Sequence, residues 1–467
     1  MTDPEPTPAQ HKLARALQRL VDLRPHETAA ALWSFAYFFC LLSSYYILRP
    51  LRDEMGIAGG IESLHWVFTG TFVVMLLAVP LFGWAAARFA RAKLLPLVYL
   101  FFVANILIFY VLFELDVGTV VVARVFFIWT SVFNLFVVSV FWSFMADLFS
   151  NAQARRLFGF IAAGGSAGAV VGPAVTGILA GSLGPINLLP ISTAILVGAV
   201  LCIRKLNRCA PQEAGETHEP RDRTPLGGGI LAGVKLVLTS PYLLGICLFI
   251  WLYTTLATFV YLGQARIVAN AFDDPATRTA VFAGMDFAVN CLTIVIQAAL
   301  TGRIIKWLGM PLTLALIPIL TAGGFAGLGM APVLPVLVAF QIMRRAGSYS
   351  ISSPAREILF TVVDRETKYK AKNFIDTVVY RGGDAIGSWI FAGLTVLGLG
   401  LSGIAVIAVP VALVWAANAL YLGRRQETLK QAAEIDHRAK LSATSSAQVK
   451  HATAKPHSHG VHPPRCA

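Results

Sequence analysis

Residues 29–50 read AAALWSFAYFFCLLSSYYILRP, and no charged side chain interrupts them before Arg49. A helix needs about 20 mostly apolar residues to cross a hydrocarbon layer roughly 30 Å thick. In lipid, a helix also satisfies its backbone N–H and C=O groups internally. Comparable runs recur along the chain. Twelve spans are expected, at 29–50, 63–85, 94–114, 117–146, 155–182, 185–204, 241–263, 278–301, 310–329, 332–350, 383–400 and 402–422. The expected fold is therefore an all-α polytopic membrane protein with 12 transmembrane helices, bathed in membrane lipid. Only 13% of residues are charged, against roughly 25% in a soluble domain.

The formal charge of +13 would suit nucleic acid in a soluble protein. Here the cations gather in alternate loops. Arg88, Arg91 and Lys93 follow span 2, and Arg155 and Arg156 follow span 4. Arg303 and Lys306 follow span 8, while Arg344, Arg345, Arg356, Arg365 and Lys368 follow span 10. Intervening loops such as 181–185 carry no charge; those after spans 1 and 7 are mixed. This alternation places both termini in the cytoplasm and excludes a nucleic-acid partner. The first 28 residues lack a cleavable signal pattern. Leu13, Leu17, Leu20 and Val21 instead predict a short amphipathic surface helix over 12–23.

Six cysteines show no ligand or redox spacing, so no metal and no cofactor are expected. The polar stretch 206–240 separates an N-terminal six-helix bundle (29–205) from a C-terminal one (241–423). The segment from 424 to 467, basic and containing His451, His457, His459 and His462, reads as a disordered tail. Gly83-Trp-Ala-Ala-Ala-Arg88 after span 2 has a weak echo in Gly302-Arg-Ile-Ile-Lys306 after span 8. Two six-helix halves joined by a central loop resemble the major facilitator superfamily, whose substrate site lies between the halves. Ala87 and Ile305 stand where that superfamily's loop signature has an aspartate.

Span 5 carries Gly159, Gly168, Gly172, Pro173 and Gly177. This spacing resembles the fifth-helix signature of antiporters in the superfamily, with Thr176 where a glycine is usual. Small residues allow close helix approach, and proline bends a helix. Gly164-Gly-Ser166-Ala-Gly168 is formally G-x-S-x-G. A nucleophile elbow needs a preceding strand, and this segment is an apolar helix, so no enzyme is expected.

Ionisable groups inside spans are costly and mark pathways. Arg49 and Arg52 lie three apart at the end of span 1, beside Asp53 and Glu54. Paired guanidiniums suit phosphate or carboxylate. Span 4 carries Arg124 and Asn134 and ends at Asp147. Asp286 and Asn290 share a face of span 8, and span 10 holds Gln341, Arg344 and Arg345. The segment 368–381 contains Lys368, Lys370, Lys372, Asp376 and Arg381. It reads either as a cytoplasmic helix or as a mobile gate that attracts an anion. Cations outnumber acids among these groups, which predicts a small anionic substrate.

Three motifs carry a closer resemblance. They are Tyr46-Ile-Leu-Arg49-Pro-Leu-Arg52-Asp53, Phe141-Trp-Ser-Phe-Met-Ala-Asp147 with Ala154-Arg155-Arg156, and Lys370-Ala-Lys372-Asn-Phe-Ile-Asp376. In this order they resemble nucleotide transporters of the ATP/ADP translocase type, over roughly residues 30–420. The resemblance implies nucleotide exchange at a bacterial inner membrane, with ATP or ADP as substrate; a monomer is expected. It places Arg52 at a family lysine and Lys370 or Lys372 at a late functional lysine. Gln153 stands where a family glutamate often does, and Ala371 replaces a glycine. The expected substrate-binding set is Arg49, Arg52, Arg124, Lys370, Lys372 and Arg381. The expected gating or coupling set is Asp53, Asp147, Arg156, Asp286, Asn290 and Asp376. A proton-coupled efflux antiporter relying on Asp286 or Asp147, and a non-transporting membrane scaffold or sensor, remain alternatives at this stage.

Overall fold

The computed structural model describes Arg24 and residues 27–88, 91–209 and 230–453. The amphipathic helix expected over 12–23, most of the central linker, and His457, His459 and His462 lie outside the described residues. The described residues contain no strand.

The first half comprises α1 (Thr28–Ala58), α2 (Leu64–Arg88), α3 (Arg91–Glu114), α4 (Thr119–Leu148), α5 (Asn151–Leu183) and α6 (Leu188–Cys209). A short α7 (Ile230–Thr239) precedes the second half. That half comprises α8 (Pro241–Ala271), α9 (Pro275–Ala299), α10 (Thr301–Met330), two composite spans and α15 (Leu401–Thr453). The tenth span is α11 (Leu334–Gly347), a π-helical turn at Ser348–Ser352, and α12 (Ser353–Leu359). The eleventh is α13 (Arg365–Phe374), a π turn at Ile375–Val379, and α14 (Tyr380–Val396). Among the described residues, ten single helices are long and apolar enough to cross a membrane. The composite pair completes the twelve.

Local chemistry sets the helix ends. The Ser150 hydroxyl accepts from the Gln153 N–H, and the Gln153 side chain accepts from the Ser150 N–H, opening α5 with a capping box. Ser240 and Asp274 cap α8 and α9, each followed by proline at the first helical position. Gly309, at φ +69°, breaks α10, so its span begins near Met310. The basic segment 368–381 lies in a helix continuous with span 11 rather than ahead of it. Likewise α15 stays helical to Thr453, where a disordered tail was expected from 424. That stretch is rich in Ala, Lys, Glu and Gln, which are strong helix formers.

Each half has its own core. One runs from Ala30 to Leu206, around Tyr37, Phe133 and Phe141. The other, around Trp415 and Phe249, runs from Val237 to Leu422 and takes in Leu64 of the first half, with Ile57, Ile61 and Phe68 packed against it. Outward faces remain apolar and exposed, as with Leu77, Leu97, Ile178 and Val406; this is the reverse of a soluble surface.

Glycines hold α5 against α1. A Cβ at Gly164 would lie 2.4 Å from the Phe35 carbonyl oxygen, at Gly168 2.5 Å from that of Phe39, and at Gly172 2.7 Å from that of Ser43. Gly177 instead faces α9, where its Cβ would be 3.9 Å from the Ala283 Cβ. Gly159 meets nothing within 4 Å, so it takes no part in this packing. Gly168→Val should therefore cost about 1–3 kcal/mol or more through overpacking, read as a lower melting temperature in detergent. Gly159→Ala should leave the melt unchanged.

Candidate functional site

The two halves enclose a polar cavity deep between them. Its adjoining lobes measure about 170 and 370 Å³. Small-solute sites commonly occupy about 300–1,000 Å³. The first half contributes Arg49, Arg52 and Asp53 from α1, with Phe68 and Phe127 beside them. The second contributes Tyr261 and Gln264 from α8, Arg344 and Arg345 from α11, Tyr349 from the π turn, and Tyr380, Arg381 and Asp384.

Five arginines thus meet at the seam. Arg345 donates to Asp286 Oδ1 at 2.6 Å, and Arg49 Nε lies 3.5 Å from Asp286 Oδ2. Arg52 pairs with Asp53 at 3.1 Å, lies 4.4 Å above the Phe127 ring, and is steadied by the Tyr261 hydroxyl, which donates to Asp53. Arg381 lies 3.6 Å from Asp384, whose carboxylate accepts from the Thr258 hydroxyl. Arg344 has no carboxylate partner among the described residues. It donates to Gln341 Oε1 at 2.7 Å, and Gln341 in turn donates to Gln264. Five guanidiniums against Asp53, Asp286 and Asp384 leave two positive charges uncompensated. A buried charge without a counterion is expensive. The cavity therefore has a standing preference for anions.

The expected residues separate into two groups. Arg49, Arg52, Asp53 and Arg381 line the cavity, and Asp286 supports it from behind. Asn290 donates to the Ala169 carbonyl, tying α9 to α5. Arg124 does not reach the site: it donates to the Gly59 carbonyl and the Ser63 hydroxyl, bracing the α1–α2 turn. Lys370, Lys372, Asp147, Arg156 and Asp376 do not line the cavity either. Lys372 pairs with Glu357 at 2.6 Å, and Arg156 pairs with Glu27 at 2.9 Å. Asp147 lies in the last turn of α4, and Asp376 on the second π turn.

Arg344 and Arg345, counted in the sequence both within span 10 and in the basic run after it, were left out of the expected substrate-binding set. The π turn and α12 carry this helix on to Leu359, leaving both arginines buried within it. Their signal was their own place, with Gln341, inside span 10. Asp384 was signalled only by its position three residues after Arg381. Tyr261, Tyr349 and Gln264 carried no signal, because tyrosine and glutamine occur on many membrane helices.

A second set of bonds joins the halves where α1 ends and α9 begins. Glu54, fully buried, receives two hydrogen bonds from Arg278, at 2.7 and 2.8 Å. The remaining Arg278 nitrogen donates to the Phe272 and Asp273 carbonyls, closing the α8–α9 turn. Arg266 lies 3.6 Å from Glu62, and Trp389 donates to Thr69. These bonds clamp one end of the molecule shut.

At the opposite end, Glu27 just precedes α1. Burial alone would raise its carboxyl. Hydrogen bonds from Gln153, Arg156 and the Arg24 amide outweigh burial and hold it below its ordinary value. Among the described residues, no His, Cys, Asp and Glu group is placed to hold a metal ion.

Two six-helix halves around a buried polar cavity define a membrane transporter. Residues 28–368 match the Major Facilitator Superfamily, and the chain belongs to it. ADP,ATP carrier protein 1 of Chlamydia trachomatis is 22% identical, with 90% of this chain and 95% of the relative covered. ADP,ATP carrier protein 1 of Chlamydia muridarum is also 22% identical, over 85% of this chain and 89% of the relative. Among solved structures, the POT family transporter PepTSo aligns at TM-score 0.61 and 14% identity, covering 85% of this chain and 98% of its own. The nucleoside transporter NupG aligns at 0.58 and 12%, covering 86% and 99%. At these identities the structures establish the shared fold. The family and these relatives are transporters rather than enzymes.

Two outcomes follow from the ion pairs. Glu54→Ala strands the Arg278 guanidinium and should destabilise the clamped end by about 3–5 kcal/mol. The readouts are a lower melting temperature and faster maleimide labelling of a cysteine placed at Ala257 in the cavity. For Glu27, the folded carboxyl titrates below the unfolded one. Its contribution is complete above the ordinary carboxylate value of about 4.3 and is lost as pH falls through the lower folded value. The melting-temperature gap between wild type and Glu27→Gln should hold at neutral pH and shrink below that range.

Proposed function

We propose that the chain is an antiporter that exchanges a small phosphorylated anion across a bacterial inner membrane. A nucleotide of the ATP/ADP kind is the favoured cargo. The observation that carries this reading is the convergence of five arginines at the seam, with Arg344 lacking any carboxylate among the described residues. Arg49, Arg52, Arg344, Arg345 and Arg381 bind the phosphoryl oxygens, for which forked guanidiniums are the natural partners. The narrowing to nucleotides draws on the relatives named ADP,ATP carriers and on the Arg49–Asp53 motif. Lys370 and Lys372, nearer the helix start, act as cations that draw the anion inward.

Exchange fits a carrier whose halves rock about a fixed central site. Both termini are taken as cytoplasmic, from the alternation of basic loops. The Glu54–Arg278 clamp then seals the outer end, and the described state faces inward. The glycine-packed α1–α5 pair moves as one rigid unit within its half.

The test is counter-exchange in proteoliposomes, with labelled ATP or ADP outside and nucleotide or no nucleotide inside. Uptake is expected to depend on internal nucleotide. A hydrogen bond to a charged group contributes about 1.5–3 kcal/mol, so Arg344→Gln and Arg52→Gln should each lower kcat/KM about tenfold or more. Absence of exchange with every nucleotide tried overturns the nucleotide assignment. Uptake independent of internal solute overturns the antiport assignment.

A further inference from the structure

We propose that the Asp286 carboxylate is a built-in substitute for the anionic group of the cargo, holding the cargo's arginines while the carrier is empty. This inference rests on the anion-binding reading above and adds a residue role to it.

Asp286 sits on α9, 1% exposed, behind the cavity. Its partners, Arg49 and Arg345, both line the cavity and come from opposite halves. It therefore ties α1 of one half to α11 of the other through a single carboxylate. Neither Asp286 Oδ2 nor Arg49 Nε has a hydrogen-bond partner, although both are buried. Their 3.5 Å separation is an attraction without a made bond.

The other two acids differ. Asp53 accepts from the Tyr261 hydroxyl, and Asp384 from that of Thr258. Both are fixed by a neutral donor as well as by an arginine. The hydrogen bond recorded at Asp286 comes from Arg345 alone. A carboxylate built as a permanent anchor would have its second oxygen satisfied, because a buried unmade bond carries its full desolvation penalty. Asp286 and Arg49 are left poised to exchange partners. A phosphoryl oxygen entering between Arg49 and Arg345 would complete the Arg49 bond and release Asp286. The tie between the halves would then pass from the protein's own carboxylate to the cargo. Occupancy is thereby coupled to the movement of one half against the other.

The experiment uses full-length protein in detergent, with inorganic pyrophosphate and ATP as probes. Asp286→Asn keeps the volume and removes the competing charge. It is expected to lower the melting temperature without probe, recover it on adding pyrophosphate or ATP, and bind them at least tenfold more tightly than wild type. Asp384→Asn removes the same formal charge from the cavity and should show no such recovery. A purely structural role for Asp286 predicts the opposite sign, with lost stability and equal or weaker binding. If Asp286→Asn fails to accumulate, Asp286→Ser undergoes the same measurements. Binding by wild type without tightening in either neutral variant overturns this inference alone. Absence of binding to either probe in wild type and variants overturns the anion reading beneath it as well.

Discussion

Arg49, Arg52, Arg344, Arg345 and Arg381 lie inside a body whose outer faces are apolar, and they meet only where the two halves touch. Charge buried in such surroundings must find partners or be neutralised. Much of the seam can be understood as an answer to that demand. Asp286 reaches from α9 to arginines of both halves, Asp53 is held by Tyr261 across the seam, and Gln264 and Gln341 relay polarity to Arg344. The answer is incomplete by two charges. That shortfall separates a binding site from a structural ion-pair network.

The two halves serve different needs. Within each, packing is dense and apolar. The glycine face of α5 meets α1 at backbone distance, and aromatic rings such as Phe38 and Phe141 stack at 4.0 Å between centroids. Between the halves, apolar contacts such as Gly177 against Ala283 and Phe68 against Tyr261 flank a polar centre of ion pairs. The Glu54–Arg278 clamp is strong, yet local to one end. Rigid halves with a polar, re-pairable centre between them are the physical requirement for rocking about a central site. The two π turns fall beside Tyr349 and Tyr380, both of which line the cavity. Such turns are frequent at functional sites in helices.

Several residues read as a site in the sequence lie away from the cavity. Arg124 in span 4 seemed a charge at membrane depth, yet it lies at the start of α4, where two oxygens of the α1–α2 turn receive it. The Lys370–Lys372 pair marks the approach to span 11 rather than the cavity wall. Conversely, Arg344 and Arg345 lie within span 10 yet also begin a run of basic residues, so the sequence left open whether they face the cavity or a loop. Hydropathy locates the ends of apolar runs, but it does not show a helix that continues through a π turn into polar residues.

The sequence by itself determined the spans, their division into six and six, and that α5 offers a small-residue face for close helix approach. Each of these depends on local facts: run length against membrane thickness, a polar linker, and glycines spaced to fall on one helix face. It also marked Arg49 and Arg52, because an arginine at membrane depth is rare. Tertiary structure decided which distant residues share the cavity. Arg49 and Asp286 are separated by most of the first half, the linker and all of α8, and no periodicity relates them. Their meeting depends on how the two halves pack, and that is a property of whole helix faces rather than of any local motif.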